Sequence, residues 1–284
     1  MYKNVIKIEK ELKKKGYSIQ TKVLTSKTCD YLGRTLDQIE KNKKFQKYVT
    51  NEGSKATGLK NKNKKIRQAQ ILNVHSIRPE VFLKYISNKL VLGVLKKIFK
   101  ENFILSNFNA SRAVKSNDHK YRIHMDSRLP VSDFSNTTHI VALICIDDFT
   151  STNGALVVIE NSHRSNANPR NKKISNTKLK KVIAPKGSII FTTGQTWHDI
   201  GNNLDGKRRW GIIAYYSRWW IKPTFDFVNN CTKKKFQMCN NIQKELLGFN
   251  STPPSRWSVK RHKTLRPKNK IPKKFSDLKN YLYN

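Results

Sequence analysis

The sequence predicts a mainly β fold with a helical buttress, of the antiparallel sandwich or jelly-roll kind, and three observations carry that prediction. Between residues 103 and 218 apolar residues recur with period two in short runs broken by turns. No long amphipathic helix separates those runs, which argues against a parallel sheet. Before residue 100 the pattern changes to helical spacing, on a chain of 284 residues with enough apolar content for one large domain.

The elements follow in order. The start is lysine-rich. Next, "SKTCDYLGRTLDQIEKNKKFQKYV" opens at Ser26, a predicted cap, and sets Tyr31, Leu32, Leu36 and Ile39 at helical spacing. The polar "TNEGSKATGLKNKNKKIRQ" predicts a loop. In "RPEVFLKYISNKLVLGVLKKIFKENF", Pro79 stands near a helix start and an apolar face runs through Phe82, Ile86, Leu90, Val94 and Ile98. The predicted strands are "FILSNFNASRAV", "KYRIHM", "THIVALICI", "ALVVIE", "KKVIA", "SIIFTT" and "RWGIIAYYS". Residues 256–284 carry ten Lys or Arg against one Asp, with Pro253, Pro254, Pro267 and Pro272 in or just before them, and predict a basic tail. The expected organisation is one domain overall: a helical region over 1–100, a jelly-roll core over 101–222 and a helical and basic extension over 223–284.

No run approaches the roughly 18 apolar residues of a membrane span, and the first residues lack the apolar centre of a secretory signal. Cys29, Cys145, Cys231 and Cys239 are scattered, so neither a zinc knuckle nor a disulfide framework is expected. A cytoplasmic protein with reduced thiols fits these features. The formal charge of +38 invites a polyanion partner. Lysines outnumber arginines about three to one, however, and the arginine forks that grip phosphate are not enriched. Nucleic acid is therefore an alternative, not the favoured partner; a small molecule, with a mild lean to an anionic one, is preferred.

In "YRIHMDSRLP" His124 and Asp126 are two apart, which on a strand points both side chains to one face. Further on, "APKGSIIFTTGQTWHDIGNNLDGKRRWGIIAYYSR" supplies His198 after a turn and Arg209 eleven positions later. Two imidazoles and a carboxylate form the facial set that holds Fe(II) with open positions. A 2-oxo acid and dioxygen fill such positions, and a bidentate Arg suits the distal carboxylate of 2-oxoglutarate. Gly211, Ile213 and Tyr215 share Arg209's face by period-two counting, with Gly211 leaving room beside a cosubstrate, and Arg208 pointing outward.

These residues carry a resemblance. His124-x-Asp126, "DDFTSTNGALVVIENSHR", "PKGSIIF", His198 and Arg209 occur in an order similar to the phytanoyl-CoA dioxygenase family of Fe(II)/2-oxoglutarate-dependent oxygenases, across roughly residues 100–222, and "KKKGYSI" adds a fainter likeness. The resemblance implies a double-stranded β-helix (cupin-like jelly roll). It implies His124, Asp126 and His198 as iron ligands and as the catalytic centre. Arg209 is implied as the anchor of 2-oxoglutarate. Asn109, with Ser111 close behind, is the candidate polar cosubstrate contact, beside the alternative of a buried amide satisfied by backbone. The implied reaction hydroxylates a small organic substrate while 2-oxoglutarate and O2 give succinate and CO2, with ascorbate as reductant. Asp126 stands where halogenating relatives have a small residue, which favours hydroxylation. Glu160, Asn161 and Ile200 depart from the family pattern and affect the pocket lining. An inactive jelly-roll binding module and a nucleic-acid oxygenase are the rival readings.

The other histidines get structural readings. His139 is expected to be a satisfied strand histidine, and His163 either a structural bond or a substrate contact, while His75, His119 and His262 are assigned no role. Trp197, Trp219 and Trp220 are expected to pack, with Trp219 at the substrate mouth as a second option.

Overall fold

A helix opens the chain because Val5, Ile8 and Leu12 recur on one face and its end is set by a glycine. In the computed structural model, which describes residues 1–50, 67–116, 120–127, 129–169 and 174–251, α1 (Tyr2–Lys15) buries those three residues. It stops at Gly16, whose φ of 88° lets its N–H reach Leu12 O. A Cβ at Gly16 would lie 2.6 Å from His163 Nδ1, so the turn tolerates only glycine. The chain then enters β1 (Tyr17–Gln20). The next helix, α2 (Ser26–Lys41), is capped one residue before the expected Ser26, by Thr25, whose side chain accepts from the Thr28 N–H.

Three short strands lie in the region expected to be helical: β1, β2 (Val49–Thr50) and β3 (Gln68–Ile71). A short helix, α3 (Val74–Ile77), precedes Pro79, and the long helical reading after Pro79 divides into α4 (Pro79–Phe82), a 3-10 turn over Leu83–Ser87, and α5 (Lys89–Phe99). Asn88 is the reason. Its side chain accepts the N–H groups of Leu90 and Val91, which starts a new helix where the apolar periodicity alone shows no break.

From β4 (Phe103–Ala113) onward the strands are β5 (His139–Cys145), β6 (Leu156–Val158), β7 (Lys180–Lys181), β8 (Ile189–Thr193), β9 (His198–Ile200) and β10 (Trp210–Arg218). They form a seven-stranded sheet in the order β1-β8-β5-β10-β4-β3-β2 facing a three-stranded sheet β7-β6-β9, all pairs antiparallel. This is the mainly antiparallel jelly roll the sequence predicts, and β1 to β3 extend its large sheet on both edges. "KYRIHM" is not a strand; it makes one antiparallel bridge, His124 to His198.

Alternation along β10 separates two cores. Trp210, Ile212, Ala214 and Tyr216 face the helices, packing with Leu12, Leu36, Phe82 and Leu95. Leu143, Cys145, Ile190 and Ile213 face the small sheet, with Phe149, Val158 and Val182. Each fully buried large side chain contributes roughly 1.5–3 kcal/mol, so the helical buttress is a main source of stability. It leaves the inner face free for a site. At the chain's far end, α6 (Lys233–Met238) and α7 (Asn241–Leu246) close on the first core through Phe236 and Leu246. The basic tail lies outside the described residues. All four cysteines are unpaired, and no helix among the described residues is long and apolar enough to cross a membrane.

Candidate metal centre

His124 and His198 meet backbone to backbone. The His124 N–H donates to His198 O at 3.0 Å, and the His198 N–H donates to His124 O at 2.9 Å. Residues paired in this way carry their side chains on the same side, and the two imidazole centroids are 4.4 Å apart. Each ring is oriented by a carbonyl: His124 Nδ1 lies 3.1 Å from Arg122 O and His198 Nδ1 2.8 Å from Thr196 O. A carbonyl only accepts, so Nδ1 carries the proton in both rings and Nε2 presents its lone pair. Asp126 Oδ2 is 3.6 Å from His198 Nε2. That oxygen is buried with no hydrogen-bond partner. One ligand atom from each of His124, Asp126 and His198 lies within 4.8 Å of the others. A buried, unpartnered carboxylate oxygen beside two free imidazole nitrogens is a donor set that fits a divalent cation. Burial holds the His124 pKa below its usual value, opposed by Asp126 and Asp199, which keeps its ring neutral and able to ligate.

Arg209 precedes β10 and is 3% exposed. Its guanidinium stacks 4.7 Å from the Phe149 ring, and its Nε has no partner. Burial lowers its pKa to about 10, so it remains a cation at neutral pH. An unpartnered buried cation needs an anion, and a ligand carboxylate meets that need. Arg208 points the other way, bridging Asp147 at 2.8 Å and Asp37 at 2.7 Å. Gly211 faces the same side as Arg209, where a Cβ would lie 2.7 Å from Leu143 and 3.0 Å from Phe149.

A model of the phytanoyl-CoA dioxygenase (PhyH) family matches residues 12–211, more than half of the chain. The chain belongs to this family. Among curated proteins it is 23% identical over 164 residues to a dioxygenase of Aspergillus fumigatus, af480, covering 57% of this chain and 53% of that protein. It is 28% identical over 105 residues to an uncharacterised protein of Mycobacterium tuberculosis, covering 37% of each. The chain thus spans about half or less of the length of the curated relatives it matches. Solved structures share the fold. The non-heme alpha ketoglutarate-dependent epimerase SnoN of nogalamycin biosynthesis aligns at a TM-score of 0.58 and 13% identity over 78% of this chain and 84% of that one. HygX from Streptomyces hygroscopicus, with nickel and 2-oxoglutarate bound, aligns at 0.58 and 14% over 76% and 88%.

Within this PhyH fold the remaining sequence candidates find places. Asn109 is buried, and its Oδ1 accepts the Asn73 N–H at 2.9 Å, so its oxygen is already engaged by backbone. Ser111 donates to Gln68 Oε1 at 3.0 Å. His139 lies outside the ligand trio, its Nδ1 3.0 Å from Thr138 Oγ1. The His163 Nε2 makes a structural bond to Lys13 O at 3.1 Å. Trp197 is buried, whereas Trp219 and Trp220 are exposed rather than packed. His75, given no role, is a core residue held edge-on between Phe108 and Phe227 at 5.7 and 5.1 Å. His119 and His262 lie outside the described residues.

Sequence reasoning missed Asp199, which is 1% exposed. Its Oδ2 accepts from Arg67 Nη1 at 2.5 Å and from the Arg122 N–H at 2.6 Å. It also missed Gln195, three residues before His198, whose side-chain oxygen and nitrogen are both buried and unpartnered. The triplet His-Asp-Ile gave no signal for Asp199, because adjacent residues on a strand face opposite sides.

Proposed function

We propose that this protein is an Fe(II)- and 2-oxoglutarate-dependent dioxygenase that hydroxylates a small organic substrate. One observation supports this above the rest: the His124, Asp126 and His198 donors converge within 4.8 Å. They do so in a fold whose inner face also carries the unpartnered cation Arg209. Bound iron would supply dioxygen activation coupled to decarboxylation of 2-oxoglutarate to succinate and CO2, with ascorbate maintaining the ferrous state.

The chain's own residues do the rest. His124 and His198 offer Nε2 because Arg122 O and Thr196 O hold their Nδ1 protons. Asp126 supplies the anionic ligand, and its presence in place of a small residue leaves no vacant position for a halide, in keeping with hydroxylation. Arg209, stacked on Phe149, binds the distal carboxylate of 2-oxoglutarate through its planar fork. The Asn109 amide nitrogen reinforces that cosubstrate, and Gly211, where a Cβ would lie 2.7 Å from Leu143 and 3.0 Å from Phe149, lets those two side chains pack beside Arg209. Leu143, Cys145, Ile190 and Ile213 form an apolar wall that excludes water and strengthens each polar contact within.

Succinate release from 2-oxoglutarate, measured with Fe(II) and ascorbate in the presence of a metabolite extract, tests this reading, with His124→Ala as the blank. A product heavier by one oxygen atom marks hydroxylation, and an unchanged mass marks isomerisation. The charge of +38 motivates a second reading, oxidation of nucleic acid. Salt-sensitive stimulation of succinate release by polynucleotides would favour it.

A further inference from the structure

The inner face of β10 and β4 continues past the residues assigned so far. Tyr215 pairs directly with Asn107 across the two strands, in the same alternation that places Gly211 opposite Ser111 and Ile213 opposite Asn109. Their side chains therefore share the face of Arg209 and Ile213, toward the small sheet. The register shifts immediately after Tyr215, and Ser106 is the extra residue on β4. Its hydroxyl is held 3.0 Å from Thr224 Oγ1 and accepts the Thr224 N–H at 3.1 Å. Such a bulge re-aims its neighbours, and here it fixes where Asn107 points.

One polar atom of each residue has no hydrogen bond among the described residues. Asn107 Oδ1 is buried and has no hydrogen bond. No hydrogen bond of the Tyr215 hydroxyl occurs among the described residues, although both side chains are half-buried and so border open space. Burial, with the Asp126 carboxylate adding to it, raises the Tyr215 pKa and keeps the hydroxyl protonated. The Tyr215 end of β10 lies next to the segment that carries Asp126: Tyr215 pairs with Val141, two residues after His139, whose O accepts the Gly194 N–H, and Gly194 O in turn accepts the Ser127 N–H at 2.7 Å. Arg209 is six residues away, roughly 20 Å along the strand at about 3.3 Å per residue. A cosubstrate anchored at Arg209 leaves the Tyr215 end to something else.

The geometry points to Asn107 and Tyr215 as the pair that orients the substrate, by binding a neutral hydrogen-bonding group, a hydroxyl or an amide N–H, beside the metal ligands. This rests on the oxygenase reading given above and adds the substrate chemistry that reading leaves open. A carboxamide oxygen needs a donor, so a bare carboxylate or a phosphodiester gives it nothing, whereas a hydroxyl gives to Asn107 and accepts from Tyr215. At this point of the site the Asn107 oxygen calls for a donor, a requirement that net charge alone does not predict.

The test uses the full chain with Fe(II) and 2-oxoglutarate and a fixed set of probes. Myo-inositol, methyl glucoside and N-acetylglucosamine carry hydroxyl or amide groups; hexanoate and palmitate lack a neutral donor. Succinate release is measured with each probe, and binding of the same probes to metal-free protein is read by ligand-observed NMR. The expected result is stimulation and binding confined to the first group. In Asn107→Leu and Tyr215→Phe the KM for the best probe rises about tenfold or more, while 2-oxoglutarate and iron affinities stay within about twofold. Equal or better response to hexanoate or palmitate, no response to any hydroxyl or amide probe, or an unchanged KM in both variants would overturn the assignment. Failure of the unmodified protein to bind 2-oxoglutarate is a different result: it would strike the oxygenase reading itself, and the pair's role with it.

Discussion

The Asp199 carboxylate ties down the segment that carries His124: its Oδ2 accepts the Arg122 backbone N–H at 2.6 Å, two residues before that histidine. Since Asp199 directly follows His198, one side chain fixes the register of both imidazoles. Asp199→Ala leaves the Arg122 N–H and the Arg67 guanidinium without their acceptor. The expected outcome is metal binding weaker by about 10- to 100-fold, measured by competition against a chelating indicator. Asp199→Asn keeps an acceptor for Arg122 and should lose less.

Arg209 is the cation proposed for the cosubstrate, and it is not one of the three proposed metal ligands. Arg209→Met should weaken 2-oxoglutarate binding by about 10- to 150-fold, corresponding to about 1.5–3 kcal/mol for a charged hydrogen-bonded pair. Manganese uptake should be unaffected. Calorimetric titration of the metal-free protein with Mn(II), and then of the manganese-loaded protein with 2-oxoglutarate, reads the two separately.

Gly211→Val adds atoms where a Cβ alone would stand 2.7 Å from Leu143 Cδ1 and 3.0 Å from Phe149 Cζ. Phe149 supports the Arg209 guanidinium, so the clash reaches the cosubstrate anchor. The KM for 2-oxoglutarate should rise while the metal affinity holds, as seen in steady-state rates over a cosubstrate series.

His75 gives the fold an acid sensitivity. Burial pushes its pKa down to about 3, against about 6.5 unfolded. The unfolded chain therefore binds a proton that the folded chain refuses between these values. Stability is fully present above about pH 6.5 and is lost as pH falls toward 3, by up to about 1.4 kcal/mol per pH unit from this group. In His75→Phe the slope of unfolding free energy against pH, from urea titrations, should flatten over that window. An unchanged slope would place the acid sensitivity elsewhere.

Much of the site was legible in the chain, and the physics explains which parts. His124, Asp126 and His198 are demanded by the coordination chemistry of one ion, and the structure brings the three together. The strands of the large sheet announced themselves as short apolar runs broken by turns, as β5 and β10 show. What escaped were features set by tertiary partners. The helix break at Asn88 is a side-chain cap inside an uninterrupted apolar pattern. The strands β1 and β3 are short and edge-seeking, and they pair only because the large sheet offers open edges. Asp199 and Asn107 are polar residues whose importance lies in what faces them, and nothing in their own neighbourhoods along the chain reports it. His75 is assigned no role from its sequence neighbours, yet two phenylalanines far along the chain enclose it.

The most direct test is an anaerobic titration of the metal-free protein with Fe(II), repeated for His124→Ala, Asp126→Ala and His198→Ala. One tightly bound ferrous ion per chain, lost or greatly weakened in each of the three variants, is the predicted result. Retention of that ion at unchanged affinity in any of them would contradict the three-ligand centre on which the account rests.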